Sequence, residues 1–302
     1  MKRYVVWCGV ALLAVAPLRA QPQALPAPKV VLDLWDAAYL DGAKTGYQHT
    51  TVEKIERDGQ KIFHTVKYVH LTLKRYNGVV TQRWAVTSDE TPDGKVGGVT
   101  VTQYLDKGRK IVQSGRVEGD KLIVRTPTDP EGKAVPWKDG VIGFYGQELL
   151  YQTHKSKTGD RFRFLDYQLP ILTAVQQQVT IKGQEEKAML VSRNDNSEAK
   201  ALWEKKTLLR AEVQPQKVTV GENTIALPRL VVWLDDKLRM VRSESNVPGL
   251  GLMTLYRTTR TLAEKEGVAP ALMADLGVNL LIPLNRAIQR PHDAREIVYR
   301  IT

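Results

Sequence analysis

Two tight-turn dipeptides, Asp58-Gly59 and Asn77-Gly78, each separate runs in which apolar and polar residues alternate. Asp-Gly and Asn-Gly favour two-residue hairpin turns, because both central positions need positive φ. Together they predict a meander of three strands over 47–57, 60–76 and 79–89. A turn at Asn77-Gly78 sets Leu71 opposite Trp84 and Val69 opposite Val86. Both pairs are apolar, as a buried sheet face requires.

The same signals continue along the chain. Gly119-Asp120 predicts a hairpin joining 109–118 to 121–126. Asp236-Lys237 predicts one joining 229–235 to 238–246, with Trp233 opposite Met240. Further strands fit 97–106, 160–168, 173–182, 186–193, 201–214, 216–226 and 251–260. Helix signal is confined to 143–151, 262–266 and 269–276. The fold class expected is therefore all-β: a large curved antiparallel sheet, a meander or half-barrel, with one to three short helices. Long strands in one meander tend to curl or wrap a helix because sheets twist. Residues 127–143 are rich in Pro and Gly and divide two runs of strands, 35–127 and 160–260. One continuous sheet is expected across that divide.

The ends read differently. Lys2 and Arg3, then an uncharged apolar run from Val5 to Ala16, then Ala20, have the layout of a secretory signal peptide over 1–20. Residues 21–34 begin QPQALPAPK and read as a Pro-rich spacer. A β domain is expected over 35–263, with 264–302 as linker and lead-in to a downstream domain. The protein is expected to be exported, periplasmic or extracellular, with no transmembrane span after cleavage.

The search for chemistry excludes more than it finds. The single cysteine, Cys8, lies in the apolar run, so a disulfide framework, a cysteine metal site and a cysteine nucleophile are excluded from the remainder. His64 and His70 share a strand face but stand about 20 Å apart along it, too far for one metal. The 58–59 turn pairs His64 with Glu53 and His49 with Tyr68. Phosphate-loop, dinucleotide and nucleophile-elbow motifs are absent. Ser114, beside Gly115, lies within a strand pattern. Glu148, Asp160 and Asp166 are the carboxylates considered for a hydrolase. No catalytic, cofactor-binding or metal-ligating residue is assigned, and no cofactor is expected.

Lys and Arg number 44 against 33 Asp and Glu, a net charge of +11. Lys205, Lys206, Arg239, Arg242, Arg257, Arg260 and the arginines of 286–300 weight the basic residues toward the C-terminal part. One reading is attraction to an anionic surface or polymer; the other is an ordinary solvated face. An exported chain is not expected to bind nucleic acid.

Trp35-Asp36-Ala37-Ala38-Tyr39, then Gly42, Lys44 and Gly46-Tyr47, resembles the opening of bacterial exported proteins with a β-rich region ahead of a transglutaminase-like domain. Val117-Glu118-Gly119-Asp120, Gln147-Glu148, Gly159-Asp160-Arg161-Phe162, Trp233-Leu234-Asp235, Val247-Pro248-Gly249-Leu250-Gly251 and Leu255–Thr259 resemble later parts of that region. In that family a cysteine, histidine and aspartate of the downstream domain do the chemistry; none can be placed here. The resemblance therefore implies a non-catalytic scaffold or substrate-positioning module, with a transglutaminase-like catalytic domain as partner. It also implies a truncated product, a fragment, or a chain whose partner module is separate. A carrier holding an apolar ligand in the curved sheet is the alternative, and a carboxylate hydrolase the third. A concave face filled by Trp84, Trp233 and inward valines would favour the scaffold.

Overall fold

The computed structural model of the protein describes residues 28–57, 59–75, 78–168, 171–195, 198–220 and 223–267. The helix expected at 269–276, the signal segment 1–20 and most of 264–302 lie outside them.

Fourteen strands form one antiparallel sheet. Its first half comprises β1 (Lys29–Leu40), β2 (Ala43–Arg57), β3 (Gln60–Arg75), β4 (Gly78–Glu90), β5 (Val96–Tyr104), β6 (Lys110–Glu118), β7 (Lys121–Thr126) and β8 (Asp129–Pro136). A helix, α1 (Phe144–Thr153), follows. The second half comprises β9 (Arg161–Gln168), β10 (Thr173–Asp195), β11 (Glu198–Pro215), β14 (Leu230–Leu234), β15 (Met240–Val247) and β16 (Gly251–Thr258). β12 (Val218–Val220) and β13 (Asn223–Ile225) make a separate two-stranded ribbon. A short helix, α2 (Arg260–Glu264), closes the described chain. β1 pairs with both β2 and β16, which joins the halves into one sheet.

β8 and β9 are the two sheet edges, and the segment between β8 and α1 draws them together. Val141 bridges Leu165, and the Ile142 amide donates to the Leu165 carbonyl at 3.0 Å. Trp137 packs on Tyr167 with ring centroids 4.9 Å apart. One apolar cluster joins Val99, Leu122, Val124 and Val135 to Tyr167, from opposite ends of the sheet. The β9 edge is thereby bridged at Leu165, while most of β8 is exposed.

α1 lies inside the resulting curve. Its Leu150 and Tyr151 pack with Val179, Ile181, Ala211, Val213, Val232 and Leu234 of β10, β11 and β14, while its N-terminus meets β4. On the outer face, the distal part of the β10–β11 hairpin folds back beyond a register shift at Ile181/Gly183. There Leu190 packs with Ala37 and Leu262, and Trp203 meets Tyr39 and Tyr256 edge-on.

The expected turns divide. Asp58-Gly59 holds, with Arg57 opposite Gln60, Gly59 at φ 75° and His64 opposite Glu53. Gly119-Asp120 holds, with Glu118 opposite Lys121. The next two differ. Arg75 pairs with Gly78, which takes Gly78 into β4, and Val69 faces Trp84, not Val86; Asn77 lies outside the described residues. The shift moves each partner by two residues and leaves every side chain on its expected face. At β14–β15 a bulge at Trp233/Leu234 sets Trp233 opposite Arg242 and Leu234 opposite Met240. The connection is longer than a dipeptide because the Asp235 carboxylate accepts the Lys237 and Arg239 amides. Residues 173–182 and 186–193 form one strand, β10, and 129–136, expected as part of the divider, is a strand. β1 begins at Lys29, within the segment expected as spacer.

Candidate functional site

Strand alternation sends every second residue of β1 inward: Leu34, Asp36, Ala38, Leu40. Asp36 is a charge at an apolar position. Its neighbour across β16 is Arg257, whose Nε donates to Asp36 Oδ1 at 2.7 Å. Arg257 also lies 3.7 Å from Glu148 Oε2, on α1. Lys67, inward on β3, reaches Glu148 Oε1 at 3.0 Å. Two acids and two bases thus form a charge-balanced quartet between sheet and helix. Burial pushes the Asp36 carboxyl above its ordinary value, outweighing Arg257. Burial would raise Glu148 too, but Lys67 and Arg257 outweigh it and hold that carboxyl below its usual range.

A second acid holds the start of α1. Glu90 ends β4, buried, and accepts the Tyr145 amide at 2.8 Å and the Gly146 amide at 3.0 Å. Ser88 Oγ accepts the Phe144 amide at 3.0 Å and donates to Glu90 at 2.8 Å. Helix N-termini expose unpaired N–H groups and favour negative charge. Here a strand carboxylate satisfies them, because Gly143 at the N-cap has no side chain to do so. A third acid, Asp166 of β9, accepts Gln147 Nε2 at 3.1 Å and is raised by burial.

Of the three carboxylates considered for a hydrolase, Glu148 stands on α1 and meets Lys67 and Arg257, Asp166 accepts from Gln147 of α1, and Asp160 accepts the Lys157 amide at 2.7 Å in an exposed turn. The hydrogen-bonding capacity of Glu148 and Asp166 is engaged in holding the helix, an arrangement suited to fixing α1 rather than to proton transfer. Ser114 stands mid-strand between Thr100 and Arg125. His64 bonds Asp89 at 2.6 Å rather than Glu53, and His49 bonds Asp33 at 2.7 Å while stacking on Trp35. Among the described residues no group of three or more His, Cys, Asp or Glu could hold a metal ion.

The basic C-terminal residues are largely paired within the chain. Arg239 bonds Asp235, Arg242 bonds Glu244, Arg260 bonds Glu264, and Arg257 belongs to the quartet. The arginines of 286–300 lie outside the described residues. Trp233 does not line the concave face. It packs outward against Met189 and Leu208, with Nε1 donating to Glu185, while its neighbours Val232 and Leu234 face α1. Trp84 does lie inward, beside Ala38, Leu40, Leu71 and Leu73.

Asp36, Lys67, Glu90 and Arg257 received no structural role from the sequence. The signal available was a charge at an inward parity, as in Thr65, Lys67, Val69, Leu71 on β3.

Among the described residues no helix is long and apolar enough to cross a membrane. No family model matches the chain, and no curated protein matches it. The resemblance to transglutaminase-like proteins is accordingly corrected. Its segments coincide with hairpin chemistry that any such sheet needs: 117–120 is the β6–β7 turn and 247–251 the β15–β16 turn. Asp36 is accounted for by the quartet. Among solved structures the chain is similar instead to a β-barrel-like protein of the domain of unknown function DUF1849 from Brucella abortus, at 12% identity and a TM-score of 0.46, covering 74% of this chain and 94% of that one.

Proposed function

We propose that this protein is a non-catalytic, exported β module that acts as a scaffold. The observation carrying this reading is that α1 occupies the concave face and is fixed there by the buried quartet of Asp36, Arg257, Glu148 and Lys67. The polar groups that chemistry would need are spent on that attachment. Export rests on the charged, apolar and small-residue layout of 1–20.

A carrier reading is favoured by one observation. The apolar cluster around Ala38, Leu40, Leu71 and Leu73 contains no α1 residue, and Trp84, Val69 and Leu255 beside it are only half-buried. Titration of purified protein with N-phenyl-1-naphthylamine separates the two. A scaffold gives no saturable fluorescence. Stoichiometric binding displaced by a fatty acid, and lost in Trp84→Ala, would replace the scaffold by the carrier. N-terminal sequencing of protein recovered from the producing cells tests export; a mature chain starting near Gln21 is expected, and a retained Met1 would reject it.

A further inference from the structure

The convex face of β1–β5 carries a row of aromatic rings. Trp35 on β1 stacks on His49 of β2 at 3.7 Å and lies 5.7 Å from Tyr47. Tyr47 is 5.3 Å from His70 and 6.2 Å from Tyr68 on β3. Tyr68 is 6.0 Å from Tyr104 on β5. Tyr104 is 39% exposed and the other rings are half-buried. At about 4.8 Å per strand the row is roughly 19 Å long. Ala85 of β4 stands opposite Tyr68, and its small side chain, buried, lets the Tyr68 and Tyr104 rings meet edge-on across β4.

The registers place hydroxyls alongside. Thr51 pairs with Val66, Val66 with Thr87, Thr87 with Thr100 and Thr100 with Ser114. All five are half-exposed. Charge is sparse within both rows. Among the β2–β5 residues within the two rows the permanent cation is Arg83, between His70 and Tyr104, while Arg57, bonded to Asp89, and Lys74 lie farther along the same face. Burial and Arg83 both lower the His70 pKa. At the β1 margin Arg260 lies over the Trp35 ring at 5.2 Å, already bonded to Glu264.

We propose that this face is a binding platform for an uncharged glycan strand, its sugar rings stacked on Tyr47, Tyr68 and Tyr104 and its hydroxyls on the Thr51–Ser114 row, with Trp35, held between His49 and Arg260, closing the row at its β1 end. An aromatic ring presents an apolar face and, in Tyr, Trp and His, a polar edge. A pyranose has the complementary division, with C–H groups on its faces and hydroxyls at its rim. A lipid tail or an apolar helix would strand the hydroxyls of the second row unsatisfied. A single-stranded nucleic acid would stack as well, but it needs cations along its phosphates, and these rows carry Arg83 and, already bonded to Glu264, Arg260. The linear arrangement, with rings for stacking on three of the four strands β2–β5, matches a linear polymer rather than a compact ligand. This inference is independent of what the concave face holds.

The test is isothermal titration calorimetry of the full chain with cellohexaose, chitohexaose and maltohexaose, in dilute buffer and in half-molar sodium chloride. At least one should bind saturably, with an affinity that salt leaves unchanged. Tyr68→Ala should weaken it about tenfold or more, and the exposed-site variant Tyr104→Ala about threefold or more, while Tyr68→Phe retains it. Circular dichroism confirms that the variants are folded, and Tyr104→Ala decides the matter should Tyr68→Ala fail to fold. Absence of binding to all three sugars at millimolar concentration overturns the proposal. So does binding undiminished in folded Tyr104→Ala, or salt-sensitive binding of oligothymidine in place of sugar. Trp84→Ala, on the opposite face, should leave sugar binding unchanged.

Discussion

Arg257 Nε lies 2.7 Å from Asp36 Oδ1, joining residues 221 positions apart where β16 meets β1. That contact sits where the two halves of the sheet join, and Glu148 ties it to the helix inside.

Removing Arg257 strands two buried carboxylates, and breaking such a pair costs about 3 kcal/mol or more. Arg257→Met should lower the unfolding free energy by about that amount in urea. Asp36→Asn combined with Arg257→Met should recover part of the loss, because the uncompensated charge is gone. A single variant as stable as the parent would show that the quartet holds nothing together.

The N-terminus of α1 makes a second prediction. Glu90→Ala removes the acceptor of two helix amides and of the Ser88 hydroxyl, at a cost of about 2 kcal/mol. Gly143→Ala should be similarly harmful, because a Cβ there would stand 2.2 Å from Glu90 Cδ. Thermal melts of both variants check this, and Glu90→Gln should fall between Glu90→Ala and the parent.

At the hairpin turns the expectation is a contrast. Gly59 has φ 75°, so Gly59→Val should cost about 1 kcal/mol or more through backbone strain. Gly78 instead opens β4 opposite Arg75, exposed, and Gly78→Val should cost less than about 0.5 kcal/mol. Equal losses in chemical denaturation would mean that the turn is at Asn77-Gly78 after all.

These cases show what the sequence made legible. Asp58-Gly59 and Gly119-Asp120 could be read because turn chemistry is local and each dipeptide fits one register. Around Asn77 two adjacent registers both satisfy the alternation, and the choice depends on pairing along the whole of β3 and β4. The β14–β15 connection departs from the Asp236-Lys237 dipeptide because the Asp235 side chain shapes it. For the quartet, inward charges at Asp36 and Lys67 were visible, but the pairing of β1 with β16 was not. Nothing local tells residue 36 that it will meet residue 257. The aromatic row was hidden for the same reason, since its rings come from four strands and meet only through register.

The last prediction concerns pH. Lys44, near the start of β2, is buried, and its Nζ donates to the Leu262 carbonyl at 2.7 Å and to the Lys265 carbonyl, clasping the end of α2. Burial, with Lys265 adding repulsion, brings its pKa down from 10.5 to about 8. Below that value the folded and unfolded chains both hold the proton, and the cost of burying the charge is constant. Between about 8 and 10.5 the unfolded chain keeps a proton that the folded chain has released. Stability therefore rises with pH across that window, by at most about 1.4 kcal/mol per pH unit. The tyrosines Tyr151, pushed well above its ordinary value by burial, and Tyr167, raised to about 12, titrate above it. Urea unfolding at about pH 7 and about pH 9 should show a rise of about 1 kcal/mol in the parent. Lys44→Met, which has no amine to titrate, should show less, so the difference between the two proteins isolates the clasp. Parallel pH profiles for parent and variant would mean that Lys44 keeps its ordinary affinity for the proton.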